Sequence, residues 1–227
     1  WNGPEADLTL THNAQPAILA HSLAVFALVA DPLEPVAGAG HSLGEYSAYV
    51  AAGCLTIADG ARLVRRRGEL MLEAGRQRAG TMAAVLGLEG EKVIAVCREA
   101  STAAEVVVAA NLNEPNQTVI SGDPPAVERA GEKARAAGAK RVVPLKVSGA
   151  FHSPLMAPAQ VGLHEELTRV TMNDPSFPVV ANARATAVSD AGSARALLDE
   201  QLTSPVRWVE CMRKLAELGP GATWVEI

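Results

Sequence analysis

Aromatic residues and cysteines are scarce in this 227-residue sequence. Aromatic side chains make up only 4% of it, whereas Ala, Val and Leu are plentiful, a composition that favours helices packed on a mostly parallel sheet. The three cysteines, Cys54, Cys97 and Cys211, lie far apart and form no C-x-x-C pair. This argues against a disulfide framework or a zinc site, so we expect a reducing, cytoplasmic location and no metal.

A basic excess and a membrane-spanning run are also missing. The formal net charge is -5, which argues against a nucleic-acid partner because a phosphate backbone requires a basic face. The longest apolar run, residues 17–30, contains His21 and Ser22 and is too short to cross a bilayer, so no membrane partner is expected. The first residues are polar and lack a basic n-region, so we do not expect a secretory signal. The chain starts at Trp1 and stops at Ile227 on an apolar stretch, so we expect both ends to be incomplete.

Helical and extended segments alternate along the chain, which predicts an α/β protein. The predicted helices are residues 14–30 (ended by Asp31 and Pro32), 43–52, 57–74, 91–100, 124–137, 154–170, 193–202 and 206–218. The predicted strands are residues 35–39, 81–88, 106–110, 118–121, 141–147 and 178–181, with a last strand near Thr223.

The middle of the chain has the order strand, helix, strand, strand, helix, strand, which is the ferredoxin-like arrangement. We therefore predict that residues 79–147 form a small lobe inserted into a large α/β catalytic lobe of residues 1–78 and 148–227.

Ser42 lies in a G-x-S-x-G motif, Gly40 to Gly44, between a predicted strand and a predicted helix. This context indicates a nucleophile elbow, in which the serine lies at a helix N-terminus and the N–H of Leu43 is the natural oxyanion donor. A glycine-rich turn with a serine that only caps the helix is the alternative at this point.

A serine nucleophile needs a base, and His152 is the best candidate. It follows a predicted strand and directly precedes Ser153 and Pro154, so it lies in a loop at the C-terminal end of a strand, where α/β sheets place their sites. An ordinary loop histidine is the alternative. The other histidines lie in a polar segment, within helices or next to the serine: His12, His21, His164 and His41.

No carboxylate is evident as the third member of a triad. Asp123 and Asp174 each precede a proline, and we interpret Asp123 as a helix cap and Asp174 as a turn residue. Something other than a carboxylate is therefore expected to orient the imidazole of His152.

Arg67 falls on the apolar stripe of the helix that begins at Ile57, whereas Arg65 and Arg66 point elsewhere. A buried guanidinium requires a partner, and its fork suits a carboxylate held by two hydrogen bonds. A structural salt bridge, or an arginine whose head reaches the surface, is the alternative.

These residues resemble a known family. The segment 40–48 is similar to the active-site segment of malonyl-CoA:acyl carrier protein transacylases and of polyketide acyltransferase domains. Segments 15–19, 67–71 and 149–156 agree as well, and the resemblance covers essentially the whole chain in the same order. Residues 111–113 and 117–122 also fit.

The resemblance implies an α/β-hydrolase-like large lobe with an inserted ferredoxin-like small lobe. It implies that Ser42 is the nucleophile, His152 the base and Arg67 the clamp on the malonyl carboxylate. It also implies that a backbone carbonyl near residues 204–208 orients the histidine, although Ser204 stands where the family usually has Asn.

The resemblance further implies the substrate and the partner. Malonyl-CoA is the donor, acyl carrier protein is the acceptor, no cofactor is bound beyond the coenzyme A thioester, and a monomer is expected. Phe151 and Leu43 resemble those of malonyl-selective members, in which a bulky ring crowds an α-methyl group. Gln15 and Met71 lie in matching segments and are expected to line the pocket.

Two other functions compete with this one. A serine hydrolase or thioesterase shares the elbow and the base but has no need of a buried arginine. A non-catalytic carrier-docking module is conceivable because the family's N-terminal Gly-Gln-Gly-Ser-Gln segment, whose first glutamine contributes to the oxyanion hole, is not in this sequence. Arg65 and Arg66 could contact an acidic carrier, but a solvated helix face is the simpler interpretation.

Overall fold

The computed structural model describes residues 3–29 and 34–227 and shows a mixed α/β protein. The helices are α1 (Glu5–Leu8), α2 (Thr11–Val29), α3 (Leu43–Ala51), α4 (Ile57–Gln77), α5 (Gly90–Ala100), α6 (Pro124–Ala136), α7 (Ala157–Arg169), α8 (Ala191–Gln201) and α9 (Trp208–Leu218). The strands are β1 (Gly38–Ala39), β2 (Thr81–Leu86), β3 (Val107–Glu114), β4 (Gln117–Gly122), β5 (Arg141–Pro144), β6 (Val179–Ala181) and β7 (Thr186–Val188).

The chain forms two compact units. The first comprises residues 1–69, 162–199 and 210–227, and the second comprises residues 70–161 and 200–209. Each unit contains one sheet of its own, three-stranded in the first and four-stranded in the second.

The first unit contains a three-stranded sheet in the order β1-β6-β7. β1 pairs with β6 in parallel, with Gly38 opposite Val179, and β6 pairs with β7 antiparallel. All three residues of β6 are completely buried, as expected of a short apolar run at the centre of a sheet. β1 therefore ends directly before the G-x-S-x-G turn, and the site is built at the carboxyl end of the parallel pair.

The second unit contains an antiparallel sheet in the order β3-β4-β2-β5. Helices α5 and α6 cover one face of this sheet, and their apolar residues form one core with alternate strand residues such as Val85 and Ile120. The predicted order of elements across residues 79–147 is confirmed.

Several predicted boundaries are wrong. Residues 223–227 form no regular structure, so the last strand near Thr223 is not present. The predicted strand 35–39 pairs only at 38–39, β7 was not predicted, and the predicted helix 154–170 begins with a 3-10 turn, Pro154–Met156. The predicted stop at Asp31 and Pro32 lies outside the described residues. Within the described ranges, no helix has the length and hydropathy needed to cross a membrane.

Candidate active site

Ser42 lies at the turn from β1 into α3 with a left-handed backbone, φ 52° and ψ -104°. A Cβ on Gly40 would lie 1.9 Å from the backbone carbon of Gly44, so only glycine permits this close approach of strand and helix. A Cβ on Gly44 would meet nothing within 4 Å. The turn therefore has the sharp, strained geometry of a nucleophile elbow.

The side chain of Ser42 makes no capping hydrogen bond to its helix, so the interpretation of Ser42 as a simple cap is wrong. Its Oγ instead accepts a hydrogen bond from Nη2 of Arg67 at 3.0 Å. Leu43, which follows it, is buried and is the first residue of α3. Its N–H belongs to the first turn, where helices leave N–H groups without an intrahelical acceptor.

Arg67 is the largest fully buried side chain of the described residues, with 1% of its surface exposed, as the apolar stripe predicted. Its Nη1 donates to Oε1 of Gln15 at 2.7 Å, and its guanidinium lies over the ring of Tyr46, 5.5 Å from the centroid. Arg65 and Arg66 point away from this core and pair with Glu69 on the exposed side of α4. The first unit thus brings three predicted site residues together: Gln15, Ser42 and Arg67.

Burial lowers the pKa of the Arg67 guanidinium, and Tyr46 and Glu45 oppose that shift. Since an arginine starts far above neutrality, it remains a cation at neutral pH. Burial also raises the pKa of the Tyr46 hydroxyl, partly offset by Arg67, so this tyrosine stays neutral. The site therefore holds a fixed positive charge beside the serine hydroxyl.

Asn182, the residue after β6, is completely buried, and its side chain forms hydrogen bonds with two backbone groups of the elbow. Its Oδ1 accepts the backbone N–H of Ser42 at 2.6 Å, and its Nδ2 donates to the carbonyl of Gly40 at 2.8 Å. Its own N–H donates to the buried carboxylate of Glu45 at 3.0 Å. Our sequence reasoning missed this residue, although its position at the carboxyl end of a predicted strand was a signal.

His152 lies in the second unit, is 4% exposed and has a left-handed backbone with φ 55°. Its Nδ1 is 3.0 Å from the backbone carbonyl oxygen of Gln201, the last residue of α8. A carbonyl can only accept, so Nδ1 carries the proton and Nε2 carries the lone pair that a base needs. The carboxyl end of a helix also favours a positive charge on the imidazole.

The expectation of a backbone carbonyl in place of an acid is confirmed, and this carbonyl belongs to Gln201, shortly before the segment 204–208 near which it was predicted. That segment instead joins the edge of the four-stranded sheet: the N–H of Val206 donates to Ala110, and the carbonyl of Val206 accepts from Leu112. These bonds hold residue 206 against β3, and the carbonyl oxygen beside Nδ1 of His152 is that of Gln201.

The two aspartates considered for a triad have other partners. Asp123 stands at the N-cap position of α6, as predicted, but its side chain makes no capping hydrogen bond. Its carboxylate accepts from Arg78 and from the N–H of Val106. Asp174 accepts the N–H of Ala191.

Met71 and Phe151 lie in the second unit. Met71 is buried, with 3% of its surface exposed, and Phe151 packs against a small cluster formed by Met82, Ala110 and Val119. Their contribution to a substrate pocket stays a prediction.

Comparison with known proteins places this chain among acyl-transferring proteins. The acyl transferase domain family matches residues 1–227. The malonyl CoA-acyl carrier protein transacylase of Bacillus subtilis (strain 168) is 44% identical over 97% of this chain and 73% of its own length. That of Escherichia coli (strain K12) is 42% identical over 96% of this chain and 74% of its own.

Solved structures agree. An acyl carrier protein S-malonyltransferase from Vibrio cholerae has a TM-score of 0.92 and 42% identity, covering 95% of this chain and 71% of its own. A malonyl-transacylase solved in complex with a type II polyketide synthase acyl carrier protein has a TM-score of 0.91 and 41% identity, covering 95% and 70%. This chain belongs to the acyl transferase domain family, among its malonyl CoA-acyl carrier protein transacylases.

Proposed function

We propose that the protein transfers a malonyl group from malonyl-CoA to the phosphopantetheine thiol of an acyl carrier protein, for fatty acid or polyketide biosynthesis. The observation that carries this proposal is the buried Arg67 guanidinium, which donates directly to the hydroxyl of Ser42. A buried cation beside a nucleophile suits an acyl group that itself bears a carboxylate.

In the first half-reaction, His152 Nε2 takes the proton of Ser42 as its Oγ bonds to the thioester carbon. The tetrahedral oxyanion is stabilised by the N–H of Leu43. The carbon–sulfur bond then breaks, and coenzyme A leaves as the thiol with the proton from His152. A malonyl ester of Ser42 remains.

In the second half-reaction, the carrier's phosphopantetheine thiol gives its proton to His152, and its sulfur attacks the ester carbon. The bond from that carbon to Ser42 Oγ breaks, and Oγ recovers the proton. No oxidant or metal takes part in either half, and the coenzyme A thioester enters as substrate.

Selectivity in this scheme comes from charge and from shape. The malonyl carboxylate adds a charge-assisted hydrogen-bond acceptor for Arg67 that an acetyl group cannot supply, a difference on the order of a few kcal/mol. Gln15 supports this role because its Oε1 already holds Nη1 of Arg67. We propose that Phe151 and Leu43 crowd an α-methyl group, and that Met71 lines the acyl pocket.

We also propose the α/β-hydrolase-like and ferredoxin-like architecture implied by the sequence, with lobes at 1–78 plus 148–227 and at 79–147. The strand order β3-β4-β2-β5 with two helices on one face supports the ferredoxin-like part. A monomer in the cytoplasm remains part of the proposal.

The test is the mass of the intact protein after brief exposure to malonyl-CoA without an acceptor, with Ser42→Ala as the matched control. One malonyl adduct on the parent protein and none on the control is expected. Subsequent loss of the adduct to an added holo-carrier, faster than to water, separates a transacylase from a hydrolase. No adduct on the folded parent protein would contradict the proposal and favour a docking module.

A further inference from the structure

We propose that Asn182 is a positioning residue for this reaction, because its side-chain amide fixes the backbone on both sides of His41 and so sets the position of the Ser42 hydroxyl. This inference rests on the proposed function, since it takes Ser42 as the nucleophile. Asn182 itself touches no reacting atom, and it acts through the backbone of the elbow.

The two hydrogen bonds of the Asn182 side chain bind groups that lie two residues apart. The amide oxygen accepts from the N–H of Ser42 at 2.6 Å, and the amide nitrogen donates to the carbonyl of Gly40 at 2.8 Å. These groups lie where β1 has ended and α3 has not begun, so neither the sheet nor the helix supplies their partners. The side chain therefore satisfies one backbone donor and one backbone acceptor of the half-buried elbow at once.

The position of Asn182 in the fold explains why an amide is suited here. β6 pairs in parallel with β1 up to Ala39 opposite Val180, and Asn182 follows the last residue of β6. Its side-chain amide has the same donor and acceptor groups as a peptide unit, and it extends the β1–β6 hydrogen bonding past the end of the strands. Aspartate lacks the donor and alanine lacks both groups.

Asn182 is itself held in place. It is completely buried, and its N–H donates to a carboxylate oxygen of Glu45, which is also completely buried in the first turn of α3. The N–H of Glu45 in turn donates to the carbonyl of Ser42. The end of β6, the elbow and the start of α3 are thus tied into one buried network.

The backbone of Ser42 is strained, and this hydrogen-bond network holds it in that conformation. A non-glycine residue with φ 52° persists only where its surroundings determine its conformation. Loss of the Asn182 bonds would let Ser42 relax toward an ordinary backbone, which swings the direction of its Cα–Cβ bond and hence its Oγ. Displacements near 1 Å at a reacting atom can lower a rate about 100-fold.

The experiment compares Asn182→Ala and Asn182→Asp with the parent protein in rapid mixing with malonyl-CoA. The burst amplitude reports the fraction of folded sites, and the burst rate constant reports the reactivity of Ser42. We expect the rate constant to fall about 10- to 100-fold in both variants, with the KM for malonyl-CoA changed less than about threefold because Arg67 is untouched. Asn182→Asp keeps the size of the side chain and the oxygen that accepts from Ser42. It therefore still tests the inference if the alanine variant does not fold.

Val179→Ala is the matched control. Val179 is a completely buried residue of the same strand, and its backbone pairing with Gly38 does not depend on its side chain. We expect it to lower the melting temperature without changing the burst rate constant. Asn182 variants that behave like this control, losing amplitude or stability at a normal rate constant, would overturn the inference.

A second probe separates this inference from the proposed function. A small fluorophosphonate labels an activated serine by forming an Oγ–phosphorus bond as fluoride leaves, and it needs no malonyl site. We expect the Asn182 variants to be labelled about 10- to 100-fold more slowly than the parent protein. If malonyl-CoA fails to acylate the parent protein, the proposed function fails, and equal labelling rates would overturn the positioning role independently.

Discussion

Arg67 on α4 donates a hydrogen bond from Nη2 to the hydroxyl of Ser42 at the elbow. A serine hydrolase would not need an arginine at this position. The same guanidinium is fixed by Gln15 on one side and covered by the ring of Tyr46. The cation is therefore preorganised within reach of any acyl group attached to Ser42, and several measurable consequences follow from that.

Replacement of Arg67 by alanine is expected to lower kcat/KM for malonyl-CoA about 100-fold and to raise the transfer of acetyl groups, because the carboxylate loses its counter-charge. Arg67→Lys should not restore malonyl transfer, since a lysine offers one point charge and tends to lose its proton when buried. Transfer of each acyl group to the carrier thiol is the measurement.

Arg66→Ala is the control for the Arg67 variants. Arg66 is the preceding residue and pairs with Glu69 on the partly exposed side of α4, so its removal should leave acyl selectivity unchanged. An unchanged ratio of malonyl to acetyl transfer in Arg67→Ala would contradict the proposed clamp and favour a general hydrolase.

Replacement of His152 by alanine is expected to slow acylation of Ser42 about 1,000-fold or more while malonyl-CoA still binds. Variants of Asp123 and Asp174 should not reproduce this loss, because the imidazole is oriented by the carbonyl of Gln201. Asp123→Asn, which disturbs the pair with Arg78, should lower stability and leave the acylation rate constant of folded protein intact. A collapse of that rate constant in Asp123→Asn would refute the acid-free arrangement.

The two glycines of the elbow should respond in opposite ways to alanine. Gly40→Ala places a methyl group against the backbone of Gly44 and is expected to destabilise the fold by about 1–3 kcal/mol or more. A methyl group on residue 44 meets open space within α3, so Gly44→Ala should leave the free energy of unfolding unchanged or raise it by about 0.5–1 kcal/mol. Turnover should fall in the same variant, because the methyl group occupies space beside Ser42 that the acyl group needs. Denaturant unfolding and burst kinetics on both variants check this pair.

Ala185→Gly is expected to raise the free energy of unfolding by about 0.5–1 kcal/mol, because Ala185 has φ 49° in the β6–β7 hairpin, where glycine is unstrained. Ala187→Gly is the matched control: Ala187 lies on β7 in extended backbone, and its loss should destabilise by a similar amount. If urea unfolding shows that both variants change the free energy of unfolding in the same direction, residue 185 is not strained.

Stability should fall as the pH rises from about 9 to 11, partly through two buried thiols. Burial raises the pKa of Cys54 from 9.0 to about 11 and that of Cys97 to about 12. The unfolded chain therefore loses these protons at a lower pH than the folded chain. The contribution of the two thiols to the free energy of unfolding is fully present below about pH 9, and it is lost as the pH rises through the folded pKa of each thiol. Urea unfolding at several pH values should show a shallower decline for a Cys54→Ala, Cys97→Ala variant, and equal slopes would contradict the assignment.

Part of the site could be predicted because the burial of a helical residue and the type of a turn depend mainly on residues nearby in the sequence. The apolar stripe of α4 placed Arg67 inside, and the G-x-S-x-G turn located the nucleophile. The proline after Ser153 marked the loop of His152. In each case the relevant information lay within one or two helical turns of the residue.

The remaining site residues depend on partners far away in the chain. Asn182 meets Ser42 across 140 positions, and Gln201 meets His152 across 49, through a backbone group that any residue type could supply. Periodicity shows that a residue is buried but not what it contacts. β7 was missed for a related reason, since the hairpin before it turns at Ala185 and lacks the glycine or asparagine that normally marks such a position.

The left-handed backbone of Ser42 also has a consequence for protein engineering. Glycine would occupy that conformation without strain, so a library screened for heat resistance alone should enrich Ser42→Gly and lose the nucleophile. Thermostable descendants of this protein must be selected for turnover at the same time, because at this one position the sequence that is best for folding is the sequence that cannot carry an acyl group.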